Sequence, residues 1–196
     1  MGSVTAGFSM SLDGFIAGPN DEYDRLFKWY SMGEVTVKVP SGDREFQLSP
    51  ESAEVFEDGA RSVGVLVYGR RTFDLTHAWG GKHPLDVPMV IVTHTIPPEW
   101  VKPGSPFTFV TDGIESAIAQ AKQIAGNKTV AVGSGTTTQQ CLQAGLLDEI
   151  HIDLVPVLLG AGIRLFDHLG PAAIELESTS VVEAPGVTHL TFRVLK

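Results

Sequence analysis

Four short clusters in this chain of 196 residues carry side chains suited to chemistry. In the first, Gly133-Ser134-Gly135-Thr136-Thr137 follows a short apolar run, Thr129 to Val132, and precedes a helix-forming segment. Glycines there let the backbone approach a ligand, and the leading N–H groups of a helix carry partial positive charge, so the loop suits phosphate. The threonine hydroxyls add donors. The second cluster, Gly69-Arg70-Arg71-Thr72, lies at another strand-to-helix junction, where two guanidinium forks can grip phosphate bidentately. Thr93-His94-Thr95 ends a further apolar run, and its hydroxyls and imidazole suit an adenosine 2′-phosphate. Asp13, in the turn Ser11-Leu12-Asp13-Gly14, offers a carboxylate that can contact a polar substrate group or help place a proton. Asp-Gly is equally a common turn pair.

The glycine loop is not a Rossmann fingerprint. The third glycine position holds Thr138, and the preceding strand lies two-thirds of the way along the chain. Asp153 follows Gly133 by the separation of a ribose-binding acid, but it falls inside an alternating strand and is expected to face solvent. His77, His83, His151, His168 and His189 have no Ser/Asp or Cys partner nearby in sequence, so none is assigned to catalysis. Cys141, beside Leu142 within a helical segment, reads as a core residue.

The elements that must position these clusters alternate. Val4 to Met10 reads as a buried strand, with Phe15 to Asn20 continuing as loop and a helical segment over Glu22 to Tyr30. Residues 31–48 are the least regular part, with Val35 to Val39 as a short strand or flap. Ser49-Pro50 signals a helix running to about Arg61. Strands are expected at Val63 to Tyr68, Val87 to Val92, Phe107 to Val110 and Thr129 to Val132, and helices at Arg70 to His77, 114–125 and Thr136 to Ala144. Ile150, Ile152 and Leu154 alternate with polar neighbours, and Leu190, Phe192 and Val194 repeat that pattern after Pro185-Gly186, so the chain closes in a hairpin. The order implies an α/β fold, a mainly parallel sheet carrying antiparallel strands at its end. With no repeat or linker, residues 1–196 read as one domain.

Fourteen Lys and Arg against 23 Asp and Glu leave a net charge of −9, which repels nucleic acid and anionic membrane. An anionic ligand would therefore need a local cluster of donors. One cysteine excludes an internal disulfide, and no Cys/His grouping has zinc spacing. Without a run approaching about 18 apolar residues or a secretory leader, a cytoplasmic protein is the expectation.

Taken together, the clusters resemble the dihydrofolate-reductase-like superfamily, and most nearly the C-terminal reductase domain of the bifunctional riboflavin-biosynthesis deaminase-reductase. The resemblance rests on Met10-Ser11-Leu12-Asp13-Gly14-Phe15-Ile16-Ala17, Tyr68-Gly69-Arg70-Arg71-Thr72-Phe73, Val132-Gly133-Ser134-Gly135 with Gly145-Leu146-Leu147-Asp148-Glu149, and Pro156 to Phe166. It implies a three-layer fold and a homodimeric NADPH-dependent reductase acting on a C=N or C=O group of a pterin- or pyrimidine-like substrate, as in 5-amino-6-(5-phosphoribosylamino)uracil reductase. By that pattern Gly69, Arg70, Arg71 and Thr72 lie at the cofactor phosphates, and Thr93 and His94 near the adenosine. Val132, Gly133, Ser134, Gly135, Thr136 and Thr137 lie at the pyrophosphate, and Ile16 and Ala17 beside the nicotinamide. Asp13 becomes the candidate catalytic substrate contact. The acid of true dihydrofolate reductases is not matched within Glu22 to Tyr30, and residues 31–48 look inserted, so folate specificity does not carry over. Dihydrofolate reduction and a non-catalytic nucleotide sensor on the same fold stand as alternatives.

Overall fold

A computed structural model describes residues 2–196. Its centre is an eight-stranded sheet whose strands lie side by side in the order Leu176–Ala184, Val187–Val194, Glu149–Val155, Val4–Ser11, Thr129–Val132, Val63–Gly69, Met89–Val92 and Phe107–Val110. Strands β1 (Val4–Ser11), β5 (Val63–Gly69), β6 (Met89–Val92), β7 (Phe107–Val110), β8 (Thr129–Val132) and β9 (Glu149–Val155) run parallel. The hairpin of β11 (Leu176–Ala184) and β12 (Val187–Val194) adds antiparallel to β9, turning at Gly186 with φ of 76°. The apolar, β-branched runs of β5 and β6 suit strands buried on both faces.

On one face, α3 (Ile114–Ala125) and α4 (Gly135–Gln143) pack over Val4, Ala6, Val65, Val67, Val130 and Val132. Ile114, Ala117, Ile118, Ala121 and Ala125 form the buried stripe of α3, and Cys141 is fully buried on the inner face of α4. On the other face, α2 (Arg70–Leu75) presses Phe73 into an aromatic cluster with Trp100, Phe107 and Phe109. A third core joins α1 (Pro50–Ser62) to a 3-10 helix (Asp24–Ser31) and to the hairpin of β3 (Val35–Lys38) and β4 (Glu45–Leu48) through Leu26, Trp29, Val37, Leu48 and Ala53. Ser49 caps α1, accepting from the Ser52 N–H at 3.2 Å, with Pro50 following.

Three segments depart from the sequence reading. Phe15–Ala17 forms strand β2, not loop, and pairs with β10 (Ile163–Arg164); a partner so distant leaves no mark on a three-residue run. Residues 31–48 contain a second strand, β4, which completes the hairpin and packs as a cap on α1. The helix starting at Arg70 stops at Leu75, and His77, Ala78, Trp79, Gly80 and Gly81 follow with φ of 50°, 53°, 49°, 65° and 95°. Left-handed backbone costs a non-glycine residue about 1–2 kcal/mol. Here it swings Trp79 onto Tyr68 and His83, at centroid distances of 4.7 and 4.9 Å.

Candidate functional site

The carboxyl ends of β5, β6 and β8 open on one cleft of about 1560 Å³. That exceeds the roughly 300–1,000 Å³ of a drug-sized pocket and leaves room for two ligands side by side. Gly69, Arg70, Arg71 and Thr72 line it from the end of β5, Thr93 and His94 from β6, and Gly133 to Thr137 from β8. Ile16 and Ala17 close one side from β2. Fourteen residues singled out in sequence as cofactor contacts thus converge, save Val132, which is buried in the core behind the loop.

One side chain staples the two phosphate-type loops together. Ser134 Oγ accepts from the Gly69 N–H at 2.9 Å and donates to Thr72 Oγ1 at 2.9 Å. Spent in that way, Ser134 does not cap α4, and the leading N–H groups of that helix are left without a side-chain acceptor. Such a helix end attracts an anion. The glycines serve packing between the loops. A Cβ on Gly69 would lie 3.0 Å from Thr137 Oγ1, one on Gly135 would lie 3.0 Å from Ile16 Cδ1, and one on Gly133 would fall within the Tyr68 ring.

Both arginines have protein partners. Arg70 holds the two Asp74 oxygens through Nε at 2.8 and 2.9 Å and donates from Nη1 to the Thr95 carbonyl, tying α2 to the loop after β6. Arg71 reaches the carboxylate of Asp21 across the cleft at 2.8 Å. Arg44, Lys82, Tyr23, Phe27, Tyr68 and Trp79 line the same cleft, so its wall combines the phosphate-type loops with aromatic and cationic side chains.

Asp13, the candidate substrate contact, is not brought together with the other candidate residues. It is absent from the cleft wall, and its carboxylate accepts from Ser11 Oγ at 2.6 Å, the Gly160 N–H at 2.7 Å and the Leu159 N–H at 3.1 Å. The Ser11 hydroxyl, followed by the two amides and opposed by desolvation, pulls its pKa down to about 2. Asp13 is a clamp fastening the end of β1 to the segment after β9. Because its folded pKa is depressed, its contribution is complete above the unfolded value of about 3.9 and fades as pH falls through about 2. Asp13→Asn is expected to lower the thermal midpoint at neutral pH, by a margin that shrinks towards pH 2, which calorimetric melting across pH measures.

Two polar groupings were invisible to sequence spacing. His83 Nδ1 accepts from the Leu85 N–H at 3.0 Å, and Nε2 faces Tyr68 Oη at 3.3 Å. Burial, with the charge of Arg44, lowers the His83 pKa to about 4, so the ring is neutral at pH 7. The second grouping corrects the reading of Asp153 as solvent-facing. It pairs in register with Ser9 on β1 and His189 on β12, and its Oδ1 lies 2.7 Å from His189 Nδ1, with Ser52 Oγ 2.9 Å from Nε2. Ser52 is 2% exposed and His189 5%, so the hydroxyl end of this Ser-His-Asp row is sealed and it holds α1 to the sheet. No spacing predicts the row, because its members come from three elements.

Among the described residues no helix is long and apolar enough to cross a membrane, and no group of three or more His, Cys, Asp or Glu can hold a metal. The family model described as the RibD C-terminal domain matches residues 3–190. A Shewanella protein provisionally assigned to riboflavin biosynthesis shares the fold, with a TM-score of 0.74 and 23% identity over 99% of both chains. The Thermotoga maritima diaminohydroxyphosphoribosylaminopyrimidine deaminase/5-amino-6-(5-phosphoribosylamino)uracil reductase matches at 0.62 and 11% identity, over 99% of this chain and 57% of that one. Enterococcus faecalis dihydrofolate reductase, solved with NADP(H), matches at 0.60 and 13%, over 99% of this chain and 97% of the other.

Proposed function

Because the chain belongs to the RibD C-terminal domain family, we propose that it is an NADPH-dependent reductase acting on a C=N or C=O group of a small pterin- or pyrimidine-like substrate. The observation that carries this reading is the stapled pair of loops in a cleft that aromatic side chains also line. The residues present fit the cofactor: uncapped amides of α4 and the hydroxyls of Thr136 and Thr137 for the pyrophosphate, and the Gly69–Thr72 turn for further phosphate. Thr93 and His94 take the adenosine end, and Ile16 and Ala17 flank the nicotinamide. When bound, the reduced nicotinamide supplies a hydride. The protein orients the two reactants, and the rings of Tyr23, Phe27, Tyr68 and Trp79 exclude water and offer stacking faces to a heterocycle. A homodimer fits the same reading, since the outer strand β11 is an open sheet edge exposing Val181.

The test is NADPH consumption, followed by loss of its near-ultraviolet absorbance, with 5-amino-6-(5-phosphoribosylamino)uracil and with dihydrofolate. Consumption with the first supports the reading, and with dihydrofolate alone it favours folate reduction. NADPH binding without consumption in either case marks a nucleotide sensor. Replacing Arg70 and Arg71 together by Ala is expected to weaken NADPH about tenfold or more, the loss of about 1.4 kcal/mol or greater, and NADH much less. Equal losses for the two cofactors, measured by fluorescence titration, would remove the arginines from the 2′-phosphate.

A further inference from the structure

The reductase reading leaves one chemical requirement open. Hydride addition places an electron pair on the substrate nitrogen or oxygen, and that atom needs a proton; Asp13 is turned to its clamp and cannot give one. Most ionisable groups on the cleft wall are engaged elsewhere. Asp21 is held by Arg71, Lys82 by Asp86 and Asp43 by the Ser41 hydroxyl, while His94 stands at the adenosine end.

Tyr68 is differently placed. It is the last residue before the Gly69 loop, it lines the cleft, and its ring lies against Gly133, so it borders both phosphate-type loops and packs on Trp79, which lines the same cleft. The direction of its hydrogen bond is fixed by its neighbour. His83 Nδ1 already accepts from Leu85, so the proton of the neutral ring sits on Nε2 and is donated to Tyr68 Oη. The phenol oxygen is thereby an acceptor, and its own hydrogen has no acceptor among the described residues. Burial raises the Tyr68 pKa, which keeps that hydrogen in place at neutral pH.

Resting on the reductase reading, the geometry points to Tyr68 as the catalytic proton donor and to His83 as the residue that positions it. The hydride bonds to the substrate carbon and the C=N or C=O π bond breaks. Its electron pair moves to the heteroatom, which takes the Tyr68 proton as the O–H bond breaks. The His83 Nε2–H donates to the phenolate that remains, and solvent returns the proton once product leaves.

Tyr68→Phe removes one hydroxyl and keeps the ring against Gly133, so fold and cofactor site persist. With 5-amino-6-(5-phosphoribosylamino)uracil as probe, its turnover is expected to fall about 10²–10⁴-fold while the NADPH dissociation constant stays within about threefold. His83→Gln retains an N–H donor and is expected to keep more of the rate than His83→Phe at similar NADPH affinity. Turnover of Tyr68→Phe close to that of the parent chain would overturn the assignment and leave the reductase standing. A parent chain that consumes no NADPH with the probe would remove the reductase reading and the donor with it.

Discussion

Gly133→Ala is expected to disable the proposed cofactor site and destabilise the fold at once. The added Cβ would fall within the Tyr68 ring, which is already packed against aromatic neighbours. Trp79 lies against it at 4.7 Å and His83 at 5.8 Å, and Trp79 is fixed by the left-handed turn that carries it. Overpacking of this kind costs about 1–3 kcal/mol. The cheaper escape is for the Gly133–Gly135 turn to shift outward, which breaks the Ser134 staple to Gly69 and Thr72 and misplaces both loops of the proposed cofactor site. NADPH affinity is expected to fall at least about tenfold, since displacement of about 1 Å in a positioned site costs far more than one lost contact. The double variant Gly133→Ala, Tyr68→Ala makes room for the methyl group, so its stability loss should be smaller than the sum of the single losses by about 0.5–3 kcal/mol. Urea melts of the four chains, with additive losses as the contrary outcome, decide whether the Tyr68 ring is what excludes a side chain at 133.

Phe73→Ala is expected to cost more stability than any change on the cleft wall, about 3–5 kcal/mol. Phe73 is 2% exposed and meets Phe107 at 5.0 Å and 90°, Phe109 at 5.6 Å and Trp100 at 6.0 Å. The cavity left would lie between α2 and the sheet, where three rings anchored on β7 and the loop before it cannot all collapse inward. For a chain of this length each kcal/mol moves the melting point by about 2–4 °C, so a fall of about 6–20 °C is expected. Leu75, two residues on and 53% exposed, is the control: Leu75→Ala should stay within about 0.5 kcal/mol. Similar losses at 73 and 75 would mean that α2 is not anchored through Phe73. Because α2 begins at Arg70 and carries Thr72, the same cavity should loosen the phosphate turn, seen as weaker NADPH binding below the melting range.

The parts of this architecture legible in the sequence are those written in one continuous segment. The stripe of α3, the Ser49-Pro50 start of α1, the strand ends at Gly69 and Val132 and the turn at Gly186 each depend on neighbours within a few residues. The convergence of the Gly69, Thr93 and Gly133 loops on one cleft was legible for the same reason, since three strand-to-helix or strand-to-loop junctions in a parallel sheet must share one edge. What could not be read are pairings between distant segments. The Asp13 carboxylate has the appearance of a reactive group until Leu159 and Gly160 arrive to occupy it. Asp153 has the appearance of a surface residue until β12 brings His189 alongside. Tyr68 hides within an apolar strand, and only the left-handed turn at His77–Gly81, which no propensity favours, folds Trp79 and His83 around it.

Isothermal titration of the purified chain with NADPH, alongside NADH, asks most directly whether the stapled loops hold the cofactor. Saturable binding is expected, with NADPH tighter than NADH and with the heat of NADPH binding reduced in the Arg70→Ala, Arg71→Ala chain. No heat of binding and no shift in melting temperature with NADPH up to about 1 mM, a concentration that reveals affinities as weak as about −4 kcal/mol, would refute the cofactor site and the reductase built on it.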